Sequence, residues 1–333
     1  MTIPLSILDL APIAPGHTAR ESFAASVSLA RAAERHGYSR VWYAEHHNMP
    51  TIASSATSVL IAHIAAHTST IRLGSGGVML PNHSPLVVAE QFGTLAELHP
   101  GRIDLGLGRA PGSDQNTARA MRRDPRASEQ FPEDVLELQA FLRGESTVPG
   151  VQAVPGGGTR VPLYILGSSL FGARLAAALG LPFAFASHFA PDALHEAMSL
   201  YRGEFRPSEQ LAEPYAIAAV NVIAAEDPAD AALQFETTRR SRVRGLIARG
   251  PSAPDYSDDQ IDAFLTTAEG RNIANMMRYS AVGTAAEVGA YLEEFATAAR
   301  ADELIIAHQS RDIEARLRSV ALTAEAMLPL PVE

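Results

Sequence analysis

Eight short apolar runs alternate with stretches whose apolar residues recur at helical spacing, and this alternation leaves few architectures open. The strand-like runs are Leu5–Asp9, Arg40–Glu45, Ile71–Leu80, Arg102–Gly108, Pro162–Gly167, Pro182–His188, Tyr215–Ala224 and Glu303–His308. The helical stretches are Arg20–His36, Ser54–His67, Pro85–Leu98, Leu170–Leu179, Asp192–Phe205, Ala229–Arg244, Ala285–Arg300 and Asp312–Met327. Such alternation builds a parallel sheet with right-handed crossovers under a coat of helices. An open doubly wound sheet usually carries a Gly-rich dinucleotide turn after its first strand, whereas here Leu10-Ala11-Pro12-Ile13-Ala14-Pro15-Gly16 follows. Eight repeats in 333 residues suit a closed (β/α)8 TIM barrel, whose usual size is about 250 residues before insertions. The expectation is a single barrel domain over residues 1–333.

Two segments exceed ordinary connections. Arg109–Pro132 is polar and contains Pro111-Gly112-Ser113-Asp114, and Gly245–Ser280 contains Pro251, Pro254 and the acidic run Asp255–Asp262. The second reads as an insertion over the barrel mouth with a short helix at Gln260–Ala268.

Composition removes several chemistries. All 27 basic residues are arginine, so a Schiff-base lysine and a P-loop lysine are excluded. Without cysteine there is no thiol nucleophile, iron–sulfur cluster or disulfide framework, and a reducing compartment, the cytoplasm, is expected. Met1–Leu10 reads as a strand rather than a signal peptide. The longest stretch without formal charge, His46–Ile71, is broken by Ser54, Ser55, Thr57, Ser58, His63 and His67, a density no membrane span tolerates. A net charge of −10 argues against nucleic acid or an anionic membrane as partner. The cluster Arg239, Arg240, Arg242 and Arg244 reads as a solvated helix face, with a phosphate role as the alternative.

In a barrel, chemistry gathers at the carboxyl ends of the strands. There the sequence offers Glu45-His46-His47, Gly74-Ser75-Gly76-Gly77, His83, Gly106-Leu107-Gly108-Arg109, Gly167-Ser168-Ser169 and His188. Imidazole titrates near neutral pH, so the first group offers proton transfer with Glu45 as an orienting carboxylate, and strand alternation lets one histidine of the pair face the cavity. A metal reading is disfavoured by the missing H-x-H spacing and by Arg109 at the next site. The strand glycines mark either a bulge or the approach of a flat ligand. Arg109 suits a phosphate or an ion pair with Asp114. Ser168 and Ser169 open a helix whose first N–H groups suit an anion, or simply cap it. His188 either contacts a ligand or caps a helix beginning near Pro191.

Together, Val41-Trp42-Tyr43-Ala44-Glu45-His46-His47, Leu73-Gly74-Ser75-Gly76-Gly77-Val78-Met79-Leu80-Pro81-Asn82-His83-Ser84-Pro85, Gly101-Arg102-Ile103-Asp104-Leu105-Gly106-Leu107-Gly108-Arg109, Leu166-Gly167-Ser168-Ser169 and Ala186-Ser187-His188-Phe189 resemble the bacterial-luciferase-like (alkanal) monooxygenase family. The resemblance continues through Val282-Gly283-Thr284, Ala301-Asp302-Glu303-Leu304 and Arg316-Leu317-Arg318-Ser319, nearly the whole chain. It implies a TIM barrel that binds reduced FMN, adds dioxygen to form a peroxyflavin and oxidises a small organic substrate. By matching position, His46 is the catalytic histidine beside the flavin ring, and Gly76-Gly77 is a non-prolyl cis peptide under it. Arg109 and Ser168, with the N–H groups of Leu170, Phe171 and Gly172, form the phosphate site, His188 lies beside the cofactor, and Gly245–Ser280 is the mobile active-site loop. No metal is implied. Luciferase itself has cysteine where Gly108 stands and two alanines at Gly76-Gly77; both changes are expected to widen the pocket and argue against light emission and long-chain aldehydes. With no dinucleotide fingerprint, a separate reductase is expected to supply reduced flavin. Alternatives of the same fold are hydride transfer with F420 and flavin binding without turnover; a homodimer is a family-based expectation.

Overall fold

Eight of the apolar runs pair edge to edge as parallel strands until the ring closes on itself. The computed structural model describes residues 3–110, 114–124, 126–247 and 254–328, so Pro111-Gly112-Ser113, Pro251 and the 248–253 part of the insertion lie outside the described residues. Strand β1 (Leu5–Asp9) leads to helix α1 (Ala19–Arg35), β2 (Arg40–Tyr43) to α2 (Thr57–Ala65), and β3 (Arg72–Met79) to α3 (Pro85–Leu98). Then come β4 (Ile103–Gly108), the short α4 (Gln115–Ala120) and α5 (Phe131–Arg143), β5 (Leu163–Gly167) with α6 (Leu170–Leu179), and β6 (Phe183–Phe185) with α7 (Leu194–Glu204). After β7 (Ala216–Ala224) follow α8 (Pro228–Ile247), α9 (Asp258–Leu265), α10 (Ala268–Asn275), β8 (Ser280–Gly283) and α11 (Ala285–Ala299), and finally β9 (Glu303–His308) and α12 (Ile313–Met327). Neighbours run β6, β5, β4, β3, β2, β1, β9, β7, and β6 pairs with β7 to close the (β/α)8 barrel.

Local chemistry fixes the helix ends. Thr18 with Glu21, and Thr284 with Glu287, form reciprocal capping boxes at the starts of α1 and α11. Gly144 and Gly180 end α5 and α6 in the left-handed conformation that glycine adopts at no steric cost.

Three details depart from the sequence reading. Helix α5 lies outside the stretches read as helical, although Phe131, Val135, Leu138, Phe141 and Leu142 are buried at helical spacing; it begins where the long polar connection Arg109–Pro132 ends. The helix expected at Gln260–Ala268 is two helices, because Thr267 caps a new one by accepting from the Gly270 N–H. A ninth strand, β8, lies parallel to the Asn221–Ala224 half of β7, and its four residues are too short to show a period.

Alternation along the strands sorts the interior into two levels. At the amino ends, Arg40 pairs with Asp104 (2.8 Å) and Glu303 (3.0 Å), Arg72 with Asp104, and the Tyr215 hydroxyl donates to Glu303 (2.7 Å). Above them lie Leu8, Trp42, Ala44, Tyr164, Ala184, Ile217, Ala219 and Ile305, with Trp42 edge-on to Tyr164 at 4.9 Å. The larger apolar cluster fills the shell between barrel and helices, so the amino end is sealed and the carboxyl end is left for loops.

Candidate active site

Because the barrel strands are parallel, every residue just past a strand end meets at one mouth. There β2 stops at Tyr43, two residues earlier than expected, and the chain still alternates sides. Glu45 and His47 turn toward the segment after β3, where the buried Glu45 carboxylate accepts from His47 Nε2 (2.8 Å), His83 Nε2 (2.9 Å) and the Met79 N–H (2.9 Å). Burial alone would raise this carboxyl, but the hydrogen bonds from His83, His47 and Met79 outweigh it and hold the group below the usual carboxylate range.

His46 takes the other side, as alternation requires. Its backbone N–H donates to the Ser54 carbonyl (2.9 Å), and its Nδ1 is buried with no hydrogen-bond partner among the described residues. Burial lowers its pKa below the ordinary imidazole range, against the opposing pull of Glu45, so it is neutral at neutral pH. The orienting carboxylate expected at Glu45 acts on His47 and His83 and not on His46, and these bonds brace the β2 and β3 ends against each other.

The glycines of β3 lie at an irregularity in its pairing with β4, between Ser75 and Val78, and the Gly76–Gly77 peptide is cis. A Cβ on Gly76 would stand 2.7 Å from Leu8 Cδ1 and 2.9 Å from Trp42 Cβ; one on Gly77 would stand 2.7 Å from the Gly106 carbonyl oxygen. A Cβ on Gly108 would lie 3.2 Å from Met79 Sδ. The barrel's own atoms therefore occupy the space that the missing side chains leave. Close approach of the chain to itself accounts for Gly76 and Gly77, whereas at Gly108 the nearest atom is the end of the Met79 side chain.

Past β4, Arg109 is exposed and lies over the Phe171 ring, 4.1 Å from Cζ to centroid. It makes no ion pair with Asp114, which instead accepts from Asn48 (3.0 Å) and caps α4 through the Asn116 and Thr117 N–H groups. Past β5, Ser168 and Ser169 are exposed, and Ser169 at the start of α6 makes no capping hydrogen bond with its side chain. The first-turn amides of Leu170, Phe171 and Gly172 have no partner within the helix, as geometry dictates. Arg109, Phe171 and this helix start thus form one donor-rich corner suited to an oxyanion.

Past β6, His188 is buried, edge-on to Phe189 at 5.0 Å, and its Nδ1 has no hydrogen-bond partner among the described residues. Burial, then Arg242 and His46, lower its pKa to about 3. It does not cap α7, which begins six residues later at Leu194. Sequence reasoning missed what holds it: Asn221 on β7 donates to the His188 carbonyl (2.8 Å) and accepts from Gln309 Nε2 (2.8 Å). An Asn among apolar residues of a strand was the available signal.

The sequence matches the family described as Luciferase-like monooxygenase over residues 3–303. The chain belongs to this family. A protein of Escherichia coli (strain K12), itself named Luciferase-like monooxygenase, is 50% identical over 326 residues, 97% of each chain. The N-acetyl-S-alkylcysteine monooxygenase of Bacillus subtilis (strain 168) is 33% identical over 340 residues, 98% of each. The crystal structure of apo-MsnO8 superimposes with a TM-score of 0.87 at 37% identity, covering 98% of this chain and 99% of that one. For a luciferase-like monooxygenase, the carboxyl-end mouth bearing His46, Arg109 and His188 is the place to look for the reaction. Among the described residues no cluster of three or more histidines and carboxylates is arranged to hold a metal ion, and no helix is long and apolar enough to cross a membrane.

Proposed function

We propose that the protein is a flavin-dependent monooxygenase that takes reduced FMN from a separate reductase and, with dioxygen, oxidises a small organic substrate. One observation carries the reading: Arg109, with no ion-pair partner among the described residues and lying over Phe171, stands beside the uncapped start of α6, at the same barrel end as His46 Nδ1, which likewise has no hydrogen-bond partner among the described residues. Donor set and orphaned atom fit a phosphorylated flavin. The Arg109 guanidinium, the Ser168 hydroxyl and the N–H groups of Leu170, Phe171 and Gly172 would hold the phosphate. Bound reduced FMN would supply the electrons and the reaction with dioxygen.

The remaining work falls to this chain. His46, neutral at neutral pH, orients the ring and gives or takes a proton at Nδ1. His188 stays neutral and offers a buried Nδ1 at the same mouth. The apolar level of Leu8, Trp42, Ala44 and Ala219 floors the site and excludes water from below. The reductase follows from Leu10–Gly16, which lacks the glycines that would cradle a dinucleotide.

Parallel titrations with FMN, reduced FMN and F420 test the reading, followed by oxygen uptake against aldehydes, thioethers and cyclic ketones. Reduced FMN should bind most tightly, and oxygen should be consumed with substrate. Tighter binding of F420 without oxygen uptake moves the protein to hydride transfer; flavin binding with no oxidation of any substrate makes it a flavin carrier. Reduction of FMN by the protein and NAD(P)H alone removes the reductase from the scheme.

A further inference from the structure

Helix α8 carries four arginines, and their surroundings differ. Arg239 pairs with Glu236, Arg240 with Asp262 (2.6 Å) and Arg244 with Asp258 (2.7 Å). Arg242 makes no ion pair or hydrogen bond with any described residue, yet it is half-buried. All four arginines are half-buried, so none lies on a fully solvated face, and what sets Arg242 apart is the missing partner.

The helix phase explains why. Ala231, Phe235 and Thr238 form the inward stripe of α8: Ala231 and Phe235 pack on Ile223 and Val282, and the Thr238 hydroxyl donates to the Gln309 carbonyl (3.1 Å). Spacings of four and three place the next residue of that stripe at 242. From Thr238 the hydrogen bonds run through Gln309 and Asn221 to the His188 carbonyl, so the stripe is tied to the loop that carries His188. Arg242 continues this line one turn on. Its charge is felt at His188, while burial weakens its own hold on the proton and no carboxylate offsets that. A half-buried guanidinium with no carboxylate partner among the described residues leaves its donors to water, and an incoming oxyanion offers them charged acceptors.

We propose that Arg242 is a substrate-binding residue that receives an organic oxyanion, the carboxylate or sulfonate of a small substrate, at the barrel mouth beside His188. The site lies past β6 and β7, whereas the donor corner of Arg109 and α6 lies past β4 and β5, so one mouth can hold a cofactor phosphate and a substrate anion apart. The proposal rests on the mouth being the flavin-dependent active site, and it narrows the substrate from any small organic molecule to an anionic one.

Calorimetric titration with hexanoate and with its uncharged isostere hexanamide tests it, in cofactor-free and in FMN-loaded protein. Hexanoate should bind at least about tenfold more tightly than hexanamide. In Arg242→Gln this preference should fall below about twofold, in Arg242→Lys part of it should survive, and FMN affinity should be unchanged in both. Circular dichroism and thermal melting establish that the variants are folded, and the lysine variant provides the reading should glutamine unfold the helix. Equal binding of the two probes, no hexanoate binding at about 10 mM, or a preference that persists in Arg242→Gln overturns the proposal. A loss of FMN affinity in Arg242→Gln also overturns it by assigning Arg242 to the cofactor. If FMN fails to bind the wild type, the flavin reading falls, and the cofactor-free titration still decides the anion site.

Discussion

At the scale of single residues, position relative to a strand end divides the work of the mouth. Among the described residues Arg109 pairs with no carboxylate, so its removal should be felt in cofactor affinity: Arg109→Ala should weaken FMN binding about tenfold or more, since a hydrogen bond to a charged group contributes about 1.5–3 kcal/mol. His46→Asn keeps a polar group without an imidazole and should leave FMN affinity nearly unchanged while lowering turnover about a hundredfold. Paired fluorescence titration and oxygen-uptake assays check both, and a variant that moved both quantities together would contradict the division. His188 and His308 make a second expectation, because burial lowers each to about 3. An unfolded histidine titrates near 6.5, so between these values the unfolded chain holds a proton that the native chain refuses. Stability is therefore lost as pH falls below about 6.5, and the urea midpoint should drop between pH 6.5 and pH 5, above the carboxylate range. His188→Gln should flatten that slope by about one proton. Much at this scale was legible from alternation alone, which put His46 opposite Glu45 and His47. The unpaired state of Arg242 was not, because a run of arginines does not say which of them the carboxylates of the following helix will meet.

The scale of elements shows why β3 carries its glycines. The strand shifts register against β4 between Ser75 and Val78, and Ser75 Oγ donates to the Gly106 carbonyl (2.8 Å) across the irregularity. Gly77 lies against that same carbonyl, and a methyl group there would have to displace backbone rather than a flexible side chain. Gly77→Ala should therefore cost about 1–3 kcal/mol, the usual penalty of forcing atoms into a packed region, whatever ligand the mouth holds. A thermal melt of the cofactor-free variant measures this; an unchanged melting temperature would mean that the strand gives way and that the glycine answers to a ligand. From sequence the glycines fitted a bulge and a flat ligand equally, because spacing alone does not say what occupies the far side. The same limit hid β8, whose pairing with Asn221–Ala224 arises only once β7 is placed. Helix α5 is a different case, since its stripe from Phe131 to Leu142 was readable and its neighbours, the polar residues of α4, obscured it.

For the whole molecule, the decisive asymmetry is between a closed floor and an open mouth. At the amino ends two cations, Arg40 and Arg72, meet two anions, Asp104 and Glu303, and the Tyr164 hydroxyl accepts from Arg40 (2.7 Å). Asp104 alone takes Arg40 at 2.8 Å, Arg72, and the Trp42 indole N–H at 3.2 Å, so it ties β4 to β2 and β3 while fully buried. An apolar plug could seal the barrel as well, but a fixed set of partners joins several strands in one register, since slipping a strand by one residue would turn its charge outward. Asp104→Asn keeps the shape and deletes the charge. Because it leaves the buried Arg40 and the half-buried Arg72 short of an anion, it should cost about 3–5 kcal/mol, far more than the roughly 0.5 kcal/mol of an ordinary surface substitution. Equilibrium unfolding in urea would show this as a lower midpoint at an unchanged slope. Because Asp104 lies at the sealed end and Arg109 at the open one, cofactor affinity measured well below the melting temperature should not move. A fall in both would mean that floor and mouth are coupled through β4, and that the barrel is less a rigid stage for its loops than its hydrogen bonds imply.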